Sequence, residues 1–365
     1  MAPVGRDVRS IDREQAMTID SDPSSDRRAG ILAVKLGALV TRRWGRDEGE
    51  HRSPGTFPGG ATLTDRTRLW AYLEDDPAHR LGGLLALAQR AGVEEVHVVV
   101  DDPDAGGALA RRATAFVTPI HVWRADGASL APIEAVAAPP VSMPEEAASA
   151  LRPILAESDL EIVVEDGTLV GEVYGLETAR VVVDDDRGAR VEAGVGRFDR
   201  EAGAMMFADL AVVDSVARAA DFVRRHRHAG AERHPLNQLV PERWLRSRLV
   251  AEPGAVGAAE LVPVPSALPR RNLRERGVAS AVGVDADGRP LLVTCSTGVD
   301  LDLVPSAVDD RLLHAPGARL VLVVPARDVH AITTALARSL VDPAEIAAVE
   351  GDWRDGPLDV RIGAS

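Results

Sequence analysis

Apolar residues recur along this chain in short blocks, separated by glycine, proline and acidic turns, and the spacing inside each block sets the element it predicts. Residues 31–40 form a nearly unbroken apolar run and predict a strand. Residues 42–61 are dense in Gly, Pro and charge and predict a loop. Leu81, Leu84, Leu85 and Ala88 fall at helical spacing before Gly92, so a helix is expected over 81–91. Residues 93–100 predict a strand closed by Asp101-Asp102-Pro103. A short helix follows over 108–116, then a strand over 120–124 and a turn at Asp126-Gly127. Helix, strand, helix, strand is the alternation of an α/β layer with parallel strands.

A Pro/Ala run at 137–144 reads as a linker. Beyond it, a helix is expected over 145–156. Strands over 161–164, 169–183 and 189–197 form a meander with turns at Glu165-Asp166-Gly167 and Asp184-Asp185-Asp186-Arg187-Gly188. Helices follow over 210–228 and 241–249. Residues 278–350 then read strand, tight turn, strand, helix, strand, helix, strand, with an irregular tail from Gly351. The polar, patternless residues 1–29 predict disorder. The expected plan is a multidomain α/β protein: an N-terminal α/β layer over 30–136, a linker over 137–148, and a central antiparallel meander with helices over 149–252. A Pro/Gly-rich linker over 253–277 and a mixed α/β unit over 278–365 complete it.

Composition changes this picture in three ways. Only 3% of residues are aromatic, so cores must be built from Ala, Val and Leu. Lys35 is the only lysine, and every other basic side chain is Arg. The single cysteine, Cys295, excludes an intramolecular disulfide and any four-cysteine zinc site. No window approaches a membrane span. No secretory leader is visible either, and the expected setting is a reducing cytoplasm. Net charge is −14, yet residues 221–276 carry eleven Arg against six acids, so that segment is +5 and the remainder −19. A basic segment in an acidic protein either holds an anionic partner or pairs with acids from the other domains.

The hairpin Val284-Asp285-Ala286-Asp287-Gly288 and the strand running into Thr294-Cys295-Ser296 carry the clearest chemical pattern. Helix, meander with acids at its turns, then helix resembles the restriction-endonuclease-like PD-(D/E)XK superfamily over about 70 C-terminal residues. In that family a hairpin aspartate and a following acid-x-lysine pair bind a divalent metal, which polarises phosphate and activates water. The resemblance implies Asp285 or Asp287 as the first acid and a magnesium or manganese cofactor. The acid-x-lysine position reads Thr294-Cys295-Ser296, so it also implies a catalytically dead copy. Glu172 and Glu192, with Glu165, offer a second set of metal-binding acids on the meander, against the alternative of acids on a solvent-facing sheet. Glu172 and Glu177 are expected on opposite faces of one strand. Cys295 reads as a buried, inert thiol. His226 and His228 diverge on a helix and read as frayed-end residues beside His234. No P-loop, dinucleotide-binding glycine motif, GxSxG or HExxH occurs.

The phosphate-binding expectation rests on Arg243, Arg246, Arg270, Arg271 and Arg274, gathered on one exposed surface. Trp244 alone would serve as an aromatic platform. The leading expectation is a nucleic-acid-associated protein on a nuclease-like, inactive fold. The alternatives are a non-enzymatic protein whose arginines meet an acidic protein or its own other domains, and a metal-dependent phosphoesterase.

Overall fold

The computed structural model describes residues 23–45, 52–197, 199–201, 210–231, 233–268, 270 and 272–363. It is a multidomain α/β protein with two six-stranded mixed sheets and one four-stranded antiparallel sheet.

The chain enters through helix α1 (Pro23–Trp44), where the sequence predicted disorder and then a strand. The apolar run is helical because Leu32, Leu36, Leu39 and Val40 bury one face while Ile31 and Val34 stay in solvent. Strands β1 (Ser53–Phe57), β2 (Gly60–Thr64) and β3 (Arg68–Leu73) form an antiparallel meander, so the expected loop carries a hairpin. Helix α2 (Leu81–Ala91), β4 (Glu95–Val100), helix α3 (Pro103–Ala113), β5 (Ile120–Asp126) and β6 (Ser129–Pro132) complete the unit. β3, β4 and β5 are parallel, and β6 returns antiparallel.

The central unit begins with two short helices, α4 (Glu146–Ser149) and α5 (Arg152–Glu157), in place of one. Strands β7 (Glu161–Glu165), β8 (Thr168–Val173), β9 (Leu176–Asp184) and β10 (Gly188–Ala193) are antiparallel neighbours in order. The strand expected over 169–183 is therefore a hairpin, turned by Tyr174 and Gly175 at φ 50° and 71°. Helix α6 (Val212–His226) buries Val216, Ala220 and Val223 against this sheet, and α7 (Pro235–Gln238) follows.

Helix α8 (Pro241–Ala251) opens the last unit. Strands β11 (Ala258–Val264), β12 (Ala279–Asp285) and β13 (Pro290–Cys295) form a second antiparallel meander, so β11 lies inside the segment expected to be a linker. Helix α9 (Leu303–His314), β14 (Arg319–Pro325), helix α10 (Ala331–Arg338), β15 (Glu345–Val349) and β16 (Val360–Gly363) follow. β13, β14 and β15 are parallel and β16 is antiparallel, which gives the tail a strand where irregular chain was expected. The repeated plan links the first and last units. Each runs helix, three-strand meander, helix, strand, helix, strand, strand.

The two repeats share one core. Side chains of α2, α3, α9 and α10 pack together between the inner faces of both six-stranded sheets. The outer faces are covered separately, by α1 on the first sheet and α8 on the second. The layers therefore run helix, sheet, helices, sheet, helix. Beside the shared core, the ends of α3 and α10 meet as a two-residue antiparallel bridge. Val117 N–H donates to Ser339 O at 2.9 Å, and Val341 N–H donates to Ala115 O at 2.8 Å.

Polar contacts fix the same joint. Asp309 on α9, fully buried, accepts from Arg111 Nε at 2.6 Å and Arg112 Nε at 2.9 Å on α3. Asp302 accepts from Gly82 N–H at 2.8 Å, where α2 comes so close that a Cβ on Gly82 would collide with the carbonyl of Leu301. Asp310 accepts from Ser280 Oγ at 2.6 Å and Ala267 N–H at 2.7 Å. Burial pushes the carboxyls of Asp302 and Asp310 up to about 6 against these hydrogen bonds.

Arg112→Ala leaves a buried carboxylate short of a partner and is expected to cost about 3–5 kcal/mol. Urea unfolding should still be a single transition for both repeats, because they have one core. The raised carboxyls of Asp302 and Asp310 favour the folded state when protonated, so their contribution is complete below about pH 4 and lost as pH rises through about 6. Unfolding free energies of Asp302→Asn and Asp310→Asn from urea titration should therefore diverge from wild type in the variants' favour between pH 4 and pH 7, each by on the order of 2 kcal/mol.

Candidate functional site

The residues expected to hold phosphate meet where the central meander packs on α8. Pro241 fits the first helical position of α8 and Glu242 its first turn. Arg243 and Arg246, three apart, share one helical face. Trp244, Leu245 and Leu249 enter the core beneath the second sheet. The β8–β9 hairpin is pressed onto this helix, and a Cβ on Gly175 would collide with the backbone of Arg243.

Every described α8-side arginine of the expected site except Arg274 is turned inward onto a carboxylate. Glu172, with a side chain 0% exposed, accepts from Arg243 at 3.0 Å and Arg246 at 2.5 Å. Glu165 pairs with Arg243 at 2.5 Å, and Glu242 pairs with Arg270. Side-chain exposures are 13% for Arg243, 4% for Arg246 and 8% for Arg270. The expected exposed arginine face does not form from these three, because carboxylates desolvated at the same junction must be neutralised there. Arg274 is exposed near a turn held by Asn272, and Arg271 lies outside the described residues. Arg227, also buried, donates to the carbonyls of Tyr174 at 3.0 Å, Leu236, Leu239 at 2.9 Å and Val240 at 3.3 Å. It lies 4.7 Å from the Trp244 ring centroid, so that ring is covered from within and offers no platform. Burial lowers the Arg227 guanidinium to about 10.

The junction encloses a cavity of about 80 Å³, lined by Glu165, Asp166, Arg243, Arg246, Ser266 and Arg270 among others. That holds a few waters and is far below the several hundred Å³ of an ordinary substrate pocket. Burial pushes the Glu165 carboxyl up, against the opposing pull of Arg243.

Of the expected metal acids, Glu165 and Glu172 share Arg243, while Glu192, Asp285 and Asp287 engage arginines elsewhere. Glu172 and Glu177 are not on opposite faces of one strand but are cross-strand partners on the β8–β9 hairpin. Both are buried on arginines rather than facing water. Glu177 accepts from Arg180 at 2.7 and 2.9 Å and from Arg200 at 2.6 Å. Glu192 pairs with Arg190 at 2.8 Å. Asp285 accepts from the N–H groups of Asp287 and Arg289 at 2.9 Å, and Asp287 pairs with Arg289, so both acids serve their own turn. Among the described residues no group of three or more His, Cys, Asp or Glu is placed to hold a metal ion. Cys295 is fully buried, and burial pushes its thiol up. His226 stacks on His234 with ring centroids 4.7 Å apart.

A second concentration of side chains was missed from sequence. Three of the five tryptophans gather at one end of the outer face of the first sheet. Trp44 ends α1, Trp70 is on β3, His97 on β4, and His121 and Trp123 on β5. Trp44 meets Trp70 at 5.7 Å and Trp123 at 5.5 Å, and His97 stacks between Trp70 at 5.6 Å and His121 at 5.1 Å. Trp123 Nε1–H donates to His97 Nδ1 at 3.2 Å, which places the neutral ring's proton on Nε2, 3.5 Å from Glu95. Burial lowers His97 to about 4. The only sequence signal was the alternation of His121 and Trp123 on one strand face. The strand register that adds His97 and Trp70 is not visible in a linear pattern. On the same sheet face, the sole lysine, Lys35, contacts the hydroxyl of Tyr72 and lies 3.4 Å from Asp101, and Tyr72 donates to Asp101 at 2.6 Å.

Fold and junction together define a tandem α/β protein whose two repeats flank a meander clamped by buried ion pairs. Compared with known proteins, the chain matches no family model, no curated sequence and no solved structure.

Removing the central carboxylate tests the clamp. Glu172→Gln is expected to destabilise by about 3–5 kcal/mol in urea titration, because it leaves buried guanidinium charge without its counter-ion. The double change Glu172→Met, Arg246→Met should recover most of that loss.

Proposed function

We propose that the protein is a non-enzymatic interaction protein, in which a rigid tandem α/β frame presents binding surfaces and the arginine-rich segment serves as an internal clamp. One observation carries this reading: Arg243, Arg246 and Arg270 are neutralised by Glu165, Glu172 and Glu242, around a space of only about 80 Å³. Guanidinium groups so engaged would have to break buried ion pairs before contacting an external phosphate, at several kcal/mol each. The nuclease-like reading keeps a hairpin with acids at its tip. Those acids are bound to their own turn amides and to Arg289, which favours a structural role for them.

Incubation with single- and double-stranded DNA and RNA in magnesium or manganese is expected to give no cleavage above buffer. Metal-dependent cleavage that disappears in Asp285→Ala or Glu192→Ala would replace this reading with the nuclease or phosphoesterase one.

A further inference from the structure

The arginines at the aromatic end of the first sheet differ from those of the clamp in one respect. Arg43 is exposed, and among the described residues it has neither an ion-pair nor a hydrogen-bond partner. Its guanidinium lies 5.4 Å from the Trp44 ring and 5.5 Å from the Trp123 ring. A guanidinium held beside indole without another partner can fork its N–H groups onto an oxyanion. Arg42 beside it and Arg66 on the β2–β3 turn are likewise exposed and have no such partner among the described residues. The helix dipole accounts for cations in the last turn of α1. It does not account for tryptophans from α1 and β5 meeting under one of them. Trp44 and Trp123 are only half-buried and His121 is exposed, so part of the aromatic surface faces solvent beside cations that have no counter-ion among the described residues. Flat aromatic surface next to open guanidinium edges fits a ligand that combines a planar ring with a phosphate.

We propose that the ledge formed by Arg43, Trp44, His121 and Trp123 is a binding site for a phosphorylated nucleobase, in which the base stacks on indole or imidazole and the phosphate takes the N–H edges of Arg43, with Arg42 and Arg66 adding to the local positive field. This rests on the reading of the protein as a binder and names what one surface binds. It requires no metal and no bond-breaking step.

The ledge holds two of the chain's five tryptophans, and a third, Trp70, contacts Trp44 from beneath, so intrinsic fluorescence reports on it. The full-length protein is titrated at low ionic strength with adenosine monophosphate, with oligothymidylate and with polyglutamate. Saturable quenching by either of the first two, weakened by added salt, is expected. Quenching by the mononucleotide identifies a free nucleotide as sufficient, and quenching by the oligomer alone identifies single-stranded nucleic acid. Arg43→Glu, an exposed change that leaves the core intact, should weaken binding about tenfold or more, and Trp123→Ala by a similar factor. Arg274→Glu, exposed but outside the ledge, should leave it unchanged. The proposal is overturned if neither nucleotide ligand quenches, if polyglutamate quenches equally well, or if Arg43→Glu binds like wild type. Cleavage by the protein would sink the non-enzymatic reading separately, without touching this binding result.

Discussion

Two six-stranded sheets must each bury an inner face, and one layer of helices does this for both. That shared burial is the constraint from which the rest of the structure follows. α9 carries it furthest, with every residue from Leu303 to Arg311 buried, including Asp309, Asp310 and Arg311. A helix enclosed on all sides needs its charges satisfied within the protein. Arg111 and Arg112 reach across from the other repeat to do so, and Ser280 with the Ala267 amide does so from α9's own repeat. The joint between repeats is thus apolar in bulk and ionic at defined points, which favours one docking geometry over many.

The central meander breaks the internal repetition. It is inserted once, between the two copies, and its sheet contributes acids while α8 and the following loop contribute arginines. Neither set is stable alone in a desolvated place. Brought together they neutralise each other, and the meander acquires a fixed position against the last repeat. Four of the segment's eleven arginines, Arg243, Arg246, Arg248 and Arg270, pair with the molecule's own glutamates. Electrostatics that look like an interaction surface in one dimension become a structural joint in three.

The two ends of the first sheet's outer face show how the scarce residue types are used. Aromatic side chains make up 3% of the chain, yet three tryptophans and two histidines converge past the end of α1. The lone lysine sits farther along the same helix, against Tyr72 and Asp101, where a compact ammonium reaches both a hydroxyl and a carboxylate. Arginine, with its wide planar fork, matches that contact poorly. In each case the scarce side chains gather around α1, a segment whose apolar run alone suggested a strand.

What the linear sequence determined was the set of elements whose periodicity is local. The helix over 81–91, strands β12 to β15 of the last unit, the acidic turns and the buried state of Cys295 follow from nearest-neighbour spacing and turn chemistry. It also determined the α/β class. Tertiary structure decided what depends on register and packing. Leu32, Leu36, Leu39 and Val40 chose a helix because a sheet face was there to receive them. Glu172 and Glu177 became cross-strand partners because Tyr174 and Gly175 turn the chain between them. Arg243 and Arg246 turned inward because carboxylates from the meander were desolvated at the same place, and Arg270 turned onto Glu242 of its own unit. Charge and aromaticity act through distance in space, and sequence separation carries no information about that distance until the sheets are paired.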